Sequence, residues 1–438
     1  MSVEVSPTIG GPADLLPAGL IPDPRRAAPA EPLDCAELTL PSGLRVVAAR
    51  RASAPVIELR LSVPFGGQSP DHCAAAELLT AALLTGTARR DQDAIERGLA
   101  DLGGSLRATV RPERLRINGR MLGYGLAPML DLIADCLTSA AYHPETVARE
   151  RARLIDRVRL AERLPHHAAR AALLEHCFGT HPAARETPST EQVDAVSAQA
   201  LSALHRDALV PDGSVLVLVG DLIPGQALEA AATALAGWTG DHRARGLSLP
   251  PAVVGGLIVR LKRPGAQQAD VRLAVPSLPR SDPGFPALHL AELVLGGYFS
   301  SRLVRVLREE LGYVYSVQCG GEEIAGRAVN VVQFGCDPRH TSEALAYVLA
   351  ELDRIGGGDP PSEAEVRSAR GYSRGIQSIT LSTQAGLADG LLGACVSGRR
   401  PRWLTEMPAL IAETGTDEVR AAAAALSAAA ATGVVLEP

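Results

Sequence analysis

The sequence predicts an α+β protein built as two homologous lobes, and three observations lead to that class. A strand-like pattern in the first half returns in the second. Each half runs from strands into long helices. A stretch rich in Gly, Pro and Arg separates the halves.

Residues 1–32 are rich in Pro, Gly and Ala and lack a cationic segment followed by an apolar one, so they read as a flexible tail rather than a signal peptide. The first lobe is assigned to residues 33–238, a linker to 239–254 and the second lobe to 255–438. Arg60-Leu61-Ser62-Val63-Pro64 closes a run that starts near Val56, and Arg272-Leu273-Ala274-Val275-Pro276 closes a similar run 212 positions later. Upstream, Gly43 to Val47 matches Gly256 to Arg260. Downstream, an apolar helical run ending at Gly86 matches one ending at Gly296-Gly297. Four features in step over more than forty residues make chance a poor explanation.

Within the first lobe, a helix spans Ala74 to Leu84, and a hairpin follows from Ser105–Val110 and Leu115–Met121. Helices then cover Gly125–Ala140 and Pro144–Leu164. Ser214 to Val219 is a continuous apolar run of strand length, and Val434-Val435-Leu436 is its shorter counterpart.

Composition excludes several functions. With 46% hydrophobic and 21% charged residues and a net charge of −6, the chain has neither a basic footprint for nucleic acid nor a polybasic membrane patch. No apolar stretch is long enough to span a bilayer. The seven cysteines are scattered without C-x-x-C spacing, so free thiols and a reducing, cytoplasmic setting are expected.

The most specific segment is Leu295-Gly296-Gly297-Tyr298-Phe299-Ser300-Ser301-Arg302-Leu303, continuing to Leu307-Arg308-Glu309-Glu310-Leu311-Gly312-Tyr313-Val314-Tyr315-Ser316-Val317. Leu303, Leu307 and Leu311 would line one helical face, and Gly312 would stop the helix in a left-handed turn. The strand from Tyr313 would then bring Tyr315 back into the same space as Arg308. This segment resembles the second-lobe signature of the pitrilysin/insulinase superfamily of zinc peptidases, of the mitochondrial-processing-peptidase type. Phe178-Gly179-Thr180-His181-Pro182, Val219-Gly220-Asp221 and Gln267-Gln268-Ala269 extend the resemblance over nearly the whole chain.

The resemblance implies two lobes, each a mixed, mostly antiparallel β-sheet covered by helices, around a chamber. In active members an inverted motif, H-x-x-E-H, and a later Glu hold zinc, and the motif Glu acts as base. Counting back from Gly86-Thr87 puts the two histidine positions at Glu77 and Ala81 and the base at Thr80. The third ligand falls on Arg157, seven residues after Glu150. Other histidines offer no substitute: Glu175-His176 lacks a partner at Ala172, His72 and Glu77 are five apart, and the adjacent His166 and His167 would point apart. The resemblance further implies that Arg308 and Tyr315 hold a peptide backbone and its developing oxyanion. It also implies that a peptide joins the Ser105 to Met121 hairpin as an added strand. Gly296-Gly297 would shape a loop toward that peptide or cap a helix.

The expectation is therefore a chain with no metal of its own that binds and positions peptide for a homologous, zinc-bearing peptidase subunit. The alternatives are a purely structural subunit, similar to respiratory-complex core proteins, and a stand-alone enzyme with a relocated metal.

Overall fold

The computed structural model describes residues 33–240 and 243–438, so the expected tail at 1–32 lies outside the described residues. The first sheet uses β1 (Cys35–Thr39), β2 (Arg45–Arg50), β3 (Val56–Pro64), β4 (Ser105–Val110), β5 (Arg114–Leu122) and β6 (Val215–Gly220). The second uses β7 (Ile258–Lys262), β8 (Ala269–Pro276), β9 (Val314–Ile324), β10 (Arg327–Cys336) and β11 (Thr432–Glu437). The spatial orders are β1-β2-β6-β3-β5-β4 and β7-β11-β8-β10-β9. Without β1 the first order maps strand for strand onto the second. In both sheets one pair is parallel (β2 with β6, β7 with β11) and the other pairs are antiparallel. The sequence repeat is therefore a repeat of topology.

The first-lobe helices are α1 (His72–Ala82), α2 (Gln92–Asp101), α3 (Leu126–Ser139), α4 (Pro144–Arg163), α5 (Pro165–Phe178), α6 (Thr190–Ala195), α7 (Ala198–Ala208) and α8 (Pro224–Ala234). Those of the second lobe are α9 (Phe285–Glu292), α10 (Thr341–Asp353), α11 (Glu363–Ser382), α12 (Gln384–Val396), α13 (Trp403–Glu413) and α14 (Thr416–Ala423). Local chemistry sets their starts. Pro144 opens α4 with Glu145 in its first turn, and Ser362 with Glu365 forms a reciprocal capping box on α11.

β6 reads as a continuous apolar run because both its faces are covered. Leu216 and Leu218 pack into the first-lobe core, whereas Val215, Val217 and Val219 pack against Leu387, Leu391 and Leu392 of α12, a second-lobe helix. The exchange is reciprocal. Leu173, Leu174 and Phe178 of α5 cover Ala274 and Val434 of the second sheet. Polar contacts secure both crossings: Gln384 Nε2 donates to the carbonyls of Arg51, Ala54 and Val56 at 2.6–3.2 Å, and His176 Nε2 lies 2.7 Å from Thr432 Oγ1.

Three expectations need correction. Leu303 and Leu307 are fully buried, but Leu311 is 43% exposed. The segment Val304–Glu310 is π-helical and ends there, leaving Leu311 outside the packed face. Gly296 and Gly297 form no loop but end the helical run, as the last two residues of a π-turn at Leu293–Gly297 that presses on β9. A Cβ on Gly296 would meet Cys319 Cβ at 2.7 Å. The rings of His166 and His167 do not point apart but sit 5.1 Å from each other.

All seven cysteines are free, four of them buried. Among the described residues, no helix is long and apolar enough to cross a membrane.

Candidate functional site

In the second lobe, two π-turns frame the signature segment. Between them the chain turns outward at Tyr298 to Ser301, so Phe299 stands 62% exposed. Gly312, at φ +65°, reverses the chain into β9, where Tyr315 points outward and is 88% exposed. The Arg308 guanidinium lies 5.1 Å from the Phe299 ring centroid and 5.8 Å from that of Tyr315. Contacts of this kind are worth about 0.5–1 kcal/mol at exposed sites. They orient the guanidinium, and no acid among the described residues pairs with it. The structure thus brings together Arg308 and Tyr315, and adds Phe299, which the spacing argument missed. A cavity of about 540 Å³ borders Arg308, Phe299 and residues 316–322 of β9.

Below this turn lies a group that the sequence showed only as part of a pattern. Arg302 is 6% exposed and grips Glu365 with two hydrogen bonds at 2.7 and 2.8 Å. It also donates to Glu351 at 3.1 Å and to the Asp359 carbonyl at 2.7 Å. Burial would raise the Glu365 pKa, but the hydrogen bonds from Arg302 and Ser362 hold it at about 2. Arg302 anchors the segment that carries Phe299 and Arg308.

In the first lobe, α1 carries Glu77, Thr80 and Ala81. Thr80 is buried, and its hydroxyl donates to the Ala76 carbonyl at 2.6 Å, so it is committed to the helix itself. Glu77 is half-buried. Burial pushes its carboxyl up, and the Arg157 and Arg111 guanidiniums partly oppose that rise. Arg157 projects from α4 as an exposed cation, close enough to be felt by Glu77. Despite their five-residue spacing, His72 and Glu77 line one small cavity, where His72 Nε2 sits 2.7 Å from the Phe65 carbonyl. Among the described residues, no group of three or more His, Cys, Asp or Glu side chains is placed to hold a metal ion. The hairpin strand β4 forms the outer edge of the first sheet, as β9 does of the second.

The Gly86-Thr87 turn is held from below by Asp135, which is 1% exposed. Asp135 accepts from Thr87 Oγ1 at 2.7 Å, Arg89 Nε at 2.8 Å, Arg90 at 2.6 Å and Ser139 at 2.8 Å. Burial alone would raise its pKa, but these donors outweigh burial and lower it from 3.8 to about 2. A depressed carboxyl stabilises the fold above its unfolded pKa and loses that contribution as pH falls through the folded value. About 2 kcal/mol should therefore disappear between about pH 4 and pH 2. Urea midpoints measured across that window should fall for the natural chain and show a shallower slope for Asp135→Asn.

Comparison with known proteins places this geometry. The fold aligns with a peptidase M16 inactive domain from Pseudomonas fluorescens at a TM-score of 0.84 and 22% identity, covering 92% of this chain and 98% of that one. It aligns with a protease from Helicobacter pylori at a TM-score of 0.83 and 17% identity, covering 92% and 99%. These likenesses define a two-lobed, peptidase-type fold. A family model described as insulinase (peptidase family M16) matches residues 45–191, and one described as peptidase M16 inactive domain matches residues 195–371. The chain belongs to the insulinase/pitrilysin superfamily.

An uncharacterised zinc protease of Mycobacterium leprae is 28% identical over 346 residues, 77% of each chain. One of Streptomyces coelicolor is 26% identical over 394 residues, 88% of this chain and 85% of the relative. A probable mitochondrial-processing peptidase subunit beta of Arabidopsis thaliana is 30% identical over 115 residues, 26% of this chain and 22% of the relative.

Proposed function

We propose that this chain is the non-catalytic, peptide-binding subunit of a two-chain zinc peptidase, in which a homologous subunit carries the metal. The observation that carries this reading is the contrast between the lobes. The first lobe presents Glu77, Thr80, Ala81 and Arg157, which include no imidazole, one position with no donor atom and one fixed positive charge. The second presents an exposed guanidinium, flanked by two rings and without an acidic partner among the described residues.

In this reading the metal-activated water acts in the partner, and the residues of this chain bind and orient. Arg308 offers its N–H fork, and Tyr315 its hydroxyl, to a peptide carbonyl whose oxygen becomes negative as the bond is attacked. Both donors stand ready before substrate arrives, because ring contacts and the Arg302 anchor fix the turn.

The test is a mixing experiment with a purified zinc-bearing superfamily member from the same source. Peptide cleavage should rise steeply when the two chains are combined and should be negligible with this chain alone. Full cleavage by the partner alone, unchanged on adding this chain, would sink the reading.

A further inference from the structure

Several arginines of the β3 to β5 region are matched with acids. Arg60 meets Asp389 at 2.7 Å, Arg111 meets Glu186 at 3.3 Å and Arg120 meets Glu58 at 3.5 Å. Four others behave differently. Arg114 and Arg116 on β5, Arg280 in the loop before α9 and Arg399 after α12 line one cavity of about 690 Å³. Arg114 donates to Ser62 Oγ at 2.7 Å and to the Ser62 and Gly213 carbonyls at 3.2 and 3.1 Å. Arg399 donates to the Ser281 carbonyl. These acceptors are neutral, and among the described residues none of the four guanidiniums forms an ion pair.

Four acids share the cavity wall, and each is a poor countercharge for these arginines. Glu322 is bound to Arg170. Glu292 is held by Ser277 at 2.9 Å and by Asn330, and Glu113 by its own backbone N–H. Burial pushes the carboxyls of Glu113 and Glu292 up, which weakens both as anions. Glu323 is exposed, where water screens its charge. Burial and the neighbouring Arg116 lower the Arg114 pKa to about 10, so its charge gains from any anion brought beside it. The positive wall stands out in a chain whose net charge is −6.

This cavity shares Gly297 and residues 319–322 of β9 with the cavity beside Arg308. The two adjoin along β9. An extended peptide advances about 3.3 Å per residue, so a short one gripped by Arg308 can carry its side chains to the four arginines.

We infer that the adjoining cavities select acidic peptides, whose Asp or Glu side chains meet Arg114, Arg116, Arg280 and Arg399 while Arg308 holds the backbone. The inference names the substrate class of the peptide-binding role proposed above and rests on that reading. Guanidinium forks suit carboxylates, and the contacts gain strength in a partly enclosed space.

The test is calorimetric titration of the full chain alone with three capped peptides of equal length, whose variable positions are all Glu, all Gln or all Lys. The Glu peptide should bind about tenfold tighter than the Gln peptide, the scale of a charge-assisted contact. Added salt should erode the difference. Arg116→Gln and Arg280→Gln, both at exposed positions where substitution rarely disturbs folding, should each remove part of the preference, and the double variant nearly all of it. Arg308→Ala should instead weaken the Glu and Gln peptides by the same factor. If Arg308→Ala is silent while the double variant loses the preference, the arginine wall stands and the role of Arg308 falls, so the two readings fail separately. Equal affinity for the Glu and Gln peptides, tighter binding of the Lys peptide, no binding of any, or a preference unchanged in the double variant would overturn the inference.

Discussion

Replacing Arg302 by alanine is expected to cost about 3–5 kcal/mol, the range seen when one partner of a buried ion pair is removed. The loss would strand Glu351, 2% exposed, with Arg354 at 3.3 Å as its remaining partner, and would unpair Glu365. The urea midpoint should fall while the slope of unfolding free energy against urea stays constant. Arg302→Lys should recover only part of the loss, because an ammonium cannot reproduce the two-pronged contact with Glu365. A change under about 1 kcal/mol, the range of exposed pairs, would show that the network contributes little.

The second large effect concerns catalysis by the assembled pair. Arg308→Ala should lower kcat/KM of the two-chain enzyme by about 10²–10³-fold, the scale of losing one oxyanion donor. Tyr315→Phe, which removes only the hydroxyl, should produce a smaller fall in the same direction. Arg308 is exposed and its recorded contacts are with rings, so its removal should leave thermal unfolding of the isolated chain nearly unchanged. Activity loss without stability loss is the signature of a binding group. Undiminished activity in both variants would instead point to a purely structural subunit.

Much of the architecture was legible because it depends on short-range patterns that recur. The shared R-L-x-V-P motif marked β3 and β8, and the apolar run at Val215 had the length of the strand it forms. The nearness of Arg308 and Tyr315 was legible for a similar reason, since one glycine turn separates them. Other features lay beyond local reading. The π-turns at Leu293 and Val304 arise from packing against β9, and helical spacing rules assume 3.6 residues per turn. Arg302 resembled any signature residue until Glu351 and Glu365, about fifty and sixty positions away, closed around it. Phe299 escaped notice because its contact with Arg308 depends on how the intervening turn bends.

The traded helices α5 and α12 have a further consequence. A chain severed within residues 239–254 would leave neither fragment with a finished interior, because Val215, Val217 and Val219 need Leu391 from the other fragment, and Val434 needs Phe178. Nicked protein should therefore stay associated through gel filtration and come apart only when denaturant melts both pieces together. Each half expressed singly should precipitate. The lobes repeat one topology, yet each completes the other's interior, and neither can be shed.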